Sequence, residues 1–269
     1  MATLRYAAGT TQRTHFTPIT TQLAALHQGA GTIAVLARLN DVTTNTHLAE
    51  LGDATNPTNF YHSLDSTGAG SLFDDDNIVG STSTSTALAV AGTTADDFQI
   101  LVVDWPAGGA ALERFHASGD IGAAESWTHS NSTGNNGGSN DGGGGNPGTG
   151  GDALIGRHVS DGDLLDVALA AFWAGVRFSD ANVLDLWVNK KTSDWWNHPA
   201  GQPTMLVECT SLTPTDIGAF PSTFADNSGT LTGLNPTGWT FDGRGASPPY
   251  LYWTRRKARR GRRFTTLTK

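Results

Sequence analysis

Residues 153–187 read ALIGRHVSDGDLLDVALAAFWAGVRFSDANVLDLW, and the fold turns on them. Ala153-Leu154-Ile155-Gly156 is a short apolar run closed by glycine, and Ser160-Asp161-Gly162-Asp163 carries Asp-Gly turn chemistry. Leu164 to Phe178 is long, apolar and rich in aromatic and branched residues, the composition of a strand buried on at least one face. Ser179-Asp180 then offers an N-cap to a helix whose apolar positions Val183, Leu184, Trp187 and Val188 recur at helical spacing. The stretch therefore reads as strand, turn, longer strand and short helix.

Working outward, strand signals recur at the spacing of a β-sandwich. Gly31–Asn40 alternates Ile33, Val35, Ala37 and Leu39 against smaller or polar neighbours. Further strands are expected at Thr46–Leu51, Asn59–Leu64, Ser71–Val79, Thr86–Ala91, Phe98–Asp104, Leu112–Ala117 and Leu206–Cys209. Ile100-Leu101-Val102-Val103 is apolar throughout and suits a central strand. Residues 130–152 have almost nothing to bury and read as a long glycine-rich loop, not a linker, because the elements after them are too few to stand alone. Residues 1–27 read as an N-terminal arm and 28–210 as the sandwich. Residues 211–254, broken by Pro214, Pro221, Pro236, Pro248 and Pro249, read as an irregular segment packed on it. Residues 255–269 form a basic tail.

The chain of 269 residues has 33 glycines and a single cysteine, Cys209, so no internal disulfide can form and burial must hold the fold. Long amphipathic helices are nearly absent, which argues against a bundle or a doubly wound α/β fold. Residues 1–13 carry no apolar signal segment and no run of 18 apolar residues occurs, so a soluble protein made in a reducing cytosol and not inserted in a membrane is expected. The net charge of −8 is unevenly spread: eight of the 17 Lys and Arg lie in residues 255–269, which hold no acid, leaving the body at −16 and the tail at +8. An acidic body stays soluble and avoids nucleic acid, while the tail seeks negative charge.

The element order resembles the concanavalin-A-like, laminin-G-like jelly-roll family of lectins and glucanases. Carrying it are Gly31–Asn40 as opening strand, Phe98–Trp105 as middle strand, Leu154-Ile155-Gly156-Arg157, and Asp166–Phe178 leading into the helix Ser179–Val188. The Asp-Gly expected just before the late strand is displaced here to Asp161-Gly162. In the last third, Leu206-Val207-Glu208, Thr213-Pro214-Thr215-Asp216 and Leu231–Phe241 resemble the trailing segment of laminin-G-like virion proteins of actinobacterial tailed phages. That resemblance implies an all-β jelly-roll sandwich and an accessory structural protein of the head or tail, with no cofactor.

Enzymes on this fold set Glu-x-Asp-x-(x)-Glu on one strand so that the carboxylates share a face. The four glutamates here, Glu50, Glu113, Glu125 and Glu208, are scattered, and Glu50 and Asp53 have a spacing that puts them on opposite faces. No Gly-x-Ser-x-Gly elbow occurs, and the histidines show no metal-ligand spacing, so no enzyme and no catalytic residue are expected. Calcium donors, if any, would be Asp74, Asp75, Asp76, Asp141, Asp161 and Asp163, although aspartates in turns more often cap backbone. Trp127, Trp195 and Trp196 sit beside loops and are the candidates for stacking on sugar.

Arg255, Arg256, Lys257, Arg259, Arg260, Arg262 and Arg263 place seven cations in nine residues. They are flanked by Tyr250, Tyr252 and Trp253 before and Phe264 after, the pattern of an anchor that docks apolar side chains as well as charge. Fully extended, such a tail spans about 50 Å. The expected function is a capsid decoration or minor capsid protein on the virion surface, held through this tail. Its partners would be the major capsid protein, other virion subunits or further copies of itself. The alternatives are a minor tail protein and a lectin-like module contacting host-surface glycan; nucleic acid would bind through the tail alone.

Overall fold

The computed structural model describes residues 2–53, 56–73, 81–87, 89, 91–107, 113–118, 127–131, 151–156, 162–187 and 190–244. Of residues 27, 28, 53, 56–60, 73, 81–87 and 127–131 it describes the backbone alone. In chain order the strands are β1 (Thr3–Tyr6), β2 (Arg13–Phe16), β3 (Gly31–Leu39), β4 (Thr46–Asp53), β5 (Asn56–Leu64), β6 (Ala69–Phe73), β7 (Ser81–Ala87) and β8 (Gln99–Trp105). They continue as β9 (Arg114–Ser118), β10 (Trp127–Asn131), β11 (Asp152–Gly156), β12 (Leu165–Ala174), β13 (Met205–Glu208), β14 (Phe224–Asn227) and β15 (Thr230–Thr232). Three short α-helices, α1 (Thr21–Ala24), α2 (Asp180–Asp185) and α3 (Thr192–Trp196), and two 3₁₀ turns, Ala25–Gln28 and Ala95–Asp97, complete the regular structure among the described residues.

These strands make an all-β jelly-roll sandwich of two antiparallel sheets with a short helix, α2, after the late strand. The first sheet runs β10-β9-β8-β3-β12-β1-β15, with β13 also paired to β12; the second runs β14-β2-β11-β4-β5-β6-β7. The deciding stretch divides between them. β11 lies in the second sheet and β12 in the first, so the two strands do not pair as a hairpin.

β12 has no polar side because both of its faces are covered. Leu165, Val167, Ala170 and Phe172 meet the second sheet across the main core, while Leu169, Ala171 and Trp173 belong to a second cluster on the outer face. A bulge between Val167 and Leu169 sets the change of phase. β3 and β8 divide their side chains the same way, which accounts for the unbroken apolar runs in their sequences. Gly31 is required where it stands: a Cβ there would lie 2.1 Å from the Trp105 ring, which crosses it and donates its indole N–H to Gly29 O at 2.9 Å.

Residues 1–27, expected as an arm, are built into the sandwich. β1 pairs with β12 and β15, and β2 pairs with β11 and β14. Leu4, Tyr6 and Phe16 belong to the main core, so this segment gains burial that its Thr-rich composition does not advertise. The segment after residue 210 likewise supplies β14 to one sheet and β15 to the other. The described part of the glycine-rich stretch is β10 at its leading edge and residues 151–152 at its end.

Candidate functional site

The outer face of the first sheet is apolar and needs a cover. Ala34, Leu36, Ile100, Val102, Leu169, Ala171 and Trp173 line it, and α2, α3 and residues 234–241 close over it. α2 starts where the sequence places it: the Ser179 hydroxyl accepts from Asn182 N at 3.2 Å. α3 has no side-chain cap of its own. Asp242 supplies one from the trailing segment, accepting from Ser193 N and from the Ser193 hydroxyl, each at 2.8 Å.

Five indoles meet in or beside this cover. Trp195 lies 6.3 Å from Trp173 and 6.0 Å from Trp239, edge-on to the latter, and Trp187 packs edge-on to Trp239 at 6.4 Å. Trp195 is 0% exposed and donates its N–H to Leu186 O at 2.8 Å, so it is a core residue and not a stacking platform. Trp196 is half-buried at the rim of the cluster, with the Arg244 guanidinium 4.8 Å above its ring. Arg244 is itself steered by the carbonyls of Ile217 (2.8 Å) and Gly218 (3.0 Å). Lys190 Nζ stands 4.3 Å over Trp187. Lys190 is also a non-glycine residue with positive φ (52°), a strained geometry for a lysine. Trp196 is therefore the indole of this cluster that reaches the surface, while Trp187 lies buried beneath Lys190.

Beside them are Asp185, Asp194 and Asp242. Burial raises the Asp194 carboxyl above its ordinary value, and the like charges of Asp242 and Asp185 add to this against the opposing Lys191. Deeper in the same face, Asp104 is buried and accepts from Arg114 Nε (3.1 Å), Arg177 Nε (2.7 Å) and His116 Nε2 (2.7 Å). Burial alone would raise Asp104; the His116 and arginine hydrogen bonds outweigh it and hold the carboxyl below the usual range.

The second sheet presents a different outer face. His15 joins Asp152 (2.7 Å) to Asp226 (3.4 Å) across three strands, and His47 stacks on Tyr61 at 4.1 Å. The three described glutamates stay apart: Glu50 is on β4 of the second sheet, Glu113 is buried ahead of β9, and Glu208 on β13 accepts from Gly243 N at 2.8 Å.

Among the calcium candidates, Asp163 is buried and caps a turn, accepting from Thr44 N (3.1 Å), Thr44 Oγ1 (2.9 Å) and Thr43 Oγ1 (3.3 Å). Among the described residues no three His, Cys, Asp or Glu side chains converge as a metal-ligand set. Asp74, Asp75, Asp76, Asp141 and Asp161 lie outside the described residues, as do Tyr250, Tyr252, Trp253, Phe264 and the whole basic tail. Trp127 begins β10, and its side chain lies outside the description. Of the three tryptophans singled out in the sequence, Trp196 alone is placed at the rim. Lys190, Arg244, Asp194 and Asp242 lie near it without having been expected, and Trp187 and Trp239 pack beneath, buried; the one cue to Trp239 was its place after the Pro236-Thr237-Gly238 turn.

No protein-family model and no curated protein matches this chain. Among solved structures it is similar to a leech intramolecular trans-sialidase complexed with 2,7-anhydro-Neu5Ac (TM-score 0.40, 10% identity) over 68% of this chain and 27% of that one. It is similar to the CBM40 of the Ruminococcus gnavus IT-sialidase bound to α2,3 sialyllactose (TM-score 0.39, 11% identity) over 68% of this chain and 97% of that one. A third likeness is to the GH43 protein BlXynB of Bacillus licheniformis (TM-score 0.32, 12% identity), over 52% of this chain and 26% of that one. The chain thus spans about a quarter of the two larger proteins, and its jelly-roll assignment stands on its own sheet order.

Proposed function

We propose that this chain is a non-catalytic adhesive module that recognises surface glycan with the tryptophan rim of its first sheet. The observation that carries the reading is Trp196, half-buried at the rim with the Arg244 guanidinium over its ring. Indole faces stack on the C–H faces of sugar rings, and a cation resting on an exposed ring is held by roughly 0.5–1 kcal/mol, little enough to be displaced. Asp242, exposed beside the rim, can accept from hydroxyls at the edge. A hydrolytic role has no support from the glutamates, because glycosidases need two carboxylates within about 5–10 Å of each other and Glu50 and Glu208 lie in different sheets. The test is a glycan array followed by tryptophan-fluorescence titration of the best binder against Trp196→Ala. Binding should weaken by tenfold or more in the variant, and a flat array for the intact chain would sink the proposal.

A second reading, a structural subunit of a virion, is favoured by the split of charge between an acidic body and residues 255–269. On that reading the tail docks on a capsid or tail subunit and the sandwich faces outward. Deleting residues 255–269 should then abolish co-sedimentation with particles; undiminished association would refute the anchor.

A further inference from the structure

The turn that follows Trp196 is held to α2 by one histidine. His198 is 4% exposed, and its ring lies flat on Phe178, 4.4 Å away at 7°, with Trp173 at 5.5 Å. Its Nε2 reaches Asn182 O at 2.9 Å, and its Nδ1 meets Ala200 N at 3.2 Å. A carbonyl can only accept and a backbone N–H can only donate, so the two partners fix the ring as neutral, with its proton on Nε2. Around it the backbone closes on itself: Asn197 N donates to Ser193 O (3.0 Å), His198 N to Trp195 O (3.4 Å) and Gly201 N to His198 O (2.9 Å). Trp196 and Ala200, on either side of His198, both pack against the outer cluster. The end of α3, and with it the Trp196 ring, is therefore pinned to α2 through an imidazole that must stay neutral to do so.

We infer that His198 is a pH-sensitive clasp on the tryptophan rim: neutral, it holds Trp196 in place to bind sugar, and protonated in acid it lets the rim loosen and the sugar go. The inference rests on the glycan-binding reading above and adds its regulation. A proton on Nδ1 would face the Ala200 N–H, so one buried hydrogen bond is lost and two donors meet head-on. The new charge would also sit against Phe178 and Trp173, out of water. Asp185 of α2 is the charged group that acts on the ring, and neither Phe178 nor Trp173 of β12 titrates. Burial outweighs Asp185 and the Asn182 bond and lowers the imidazole below 6.5. Above 6.5 the closed and the open clasp both hold it neutral. Below 6.5 the open clasp takes up a proton that the closed one refuses. Opening is then favoured as pH falls, by up to about tenfold per pH unit until the closed ring also titrates.

The experiment follows the full chain and its His198→Asn and His198→Gln variants from pH 7 to pH 5, at a temperature where far-ultraviolet circular dichroism shows each folded. The asparagine keeps an acceptor for Ala200 and the glutamine a donor for Asn182, and neither takes up a proton. One readout is hydrogen exchange at the Ala200 amide, corrected for intrinsic rates and referred to the β3 amides, which report global opening. The other is affinity for the best-bound glycan of the array. Each protein is read against its own value at pH 7, so the raised Asp194 carboxyl, present in all three, cancels. In the wild type, Ala200 protection and glycan affinity should both fall about threefold or more; in the variants both should stay level. Equal falls in all three proteins, or none in the wild type, would overturn the clasp while leaving the rim reading standing. Protection that falls while affinity holds would overturn the link from His198 to Trp196. A wild type that binds no glycan at pH 7 would defeat the rim reading and the acid release with it.

Discussion

Acid should loosen the sandwich through one residue, His62. It sits on β5 opposite Ala49 and Leu72, and its ring lies 6.2 Å from Phe115 of the facing sheet. Its Nδ1 donates to Ser71 O at 3.4 Å, and Nε2 has no partner among the described residues. Burial pushes the imidazole down from 6.5 to about 4, against a small opposing effect of the Ser71 bond. Above pH 6.5 both folded and unfolded chains hold it neutral, and its contribution to stability is intact. Between 6.5 and 4 the unfolded chain binds a proton that the folded chain refuses, so stability falls as pH falls, and below about 4 the loss is complete. A depression of about 2.5 units corresponds to about 3 kcal/mol, a large part of the 5–15 kcal/mol typical of a domain. The assay is urea unfolding followed by tryptophan fluorescence from pH 7 to pH 4, for the wild type and His62→Phe. The larger phenyl ring adds a pH-independent packing penalty of about 1–3 kcal/mol, so the quantity to read is the change in the difference between the two proteins. The variant should gain about 3 kcal/mol on the wild type between pH 7 and pH 4. A difference that stays flat to within about 1 kcal/mol across that range would refute the argument, since one pKa unit is worth 1.36 kcal/mol.

Asp216 should act in the opposite sense. Burial raises it to about 6 although Ser222, Leu206 and Gly218 donate backbone N–H bonds to it, so the folded chain takes up a proton first as pH falls through 6. Its contribution is present at low pH and lost as pH rises, and Asp216→Asn should remove a slope of about 3 kcal/mol between pH 6 and 4 in the same urea series. Trp195→Ala should cost about 3–5 kcal/mol in stability, because it empties a fully buried site and strips the Leu186 carbonyl of its donor. Trp196→Ala, at the rim, should cost less than half of that in the same unfolding assay. Asp242→Ala should cost about 1–2 kcal/mol by uncapping α3, visible as a lower melting temperature and as early hydrogen exchange at residues 192–196.

How much of this was legible in the sequence depends on where each signal comes from. β3, β8 and β12 announce themselves because two-sided burial forces unbroken runs of Ile, Val, Leu and Ala, and α2 because Ser179 is a local cap. β1 and β2 were hidden. Their inward residues Leu4, Tyr6, Thr14 and Phe16 are separated by Thr, Arg and His, and they become strands by adding to edges formed by residues more than a hundred positions away. The same holds for β14 and β15, which are short and exposed. Trp195 and Trp196 are adjacent and indistinguishable by composition. One is core and the other rim because α3 turns about 100° per residue over the sheet, and nothing local reports that orientation. Arg244 reaches the Trp196 ring from 48 positions away, a tertiary contact, whereas Lys190 covers Trp187 from three positions away.

The aromatic cover keeps its place because buried carboxylates mark both ends of the face beneath it. Asp166 on β12 lies directly across from Arg5 of β1 and Arg38 of β3, and Asp104 on β8 directly across from Arg114 of β9. Arg5 Nε reaches Asp166 at 2.7 Å, and Arg38 Nε reaches it at 2.9 Å. A one-residue slip of any of these strands would turn a carboxylate into the core between the sheets, where an unpaired charge costs several kcal/mol. Such ion centres add little net stability over an apolar packing, but they penalise every wrong register. The Asp104 centre also extends beyond the sheet. Arg114 bonds the Phe178 carbonyl and, at 2.7 Å, Asp180, the residues that lead into α2. The centre that sets the β8–β9 register therefore also sets where the helix begins, and with it where Trp187 meets Trp239. Replacing Asp104 with Asn should disturb the tryptophan rim as well as the sheet. The prediction is a shift of tryptophan emission at temperatures below global unfolding; an unchanged native emission spectrum in a folded Asp104→Asn protein would break the link between the ion centre and the site.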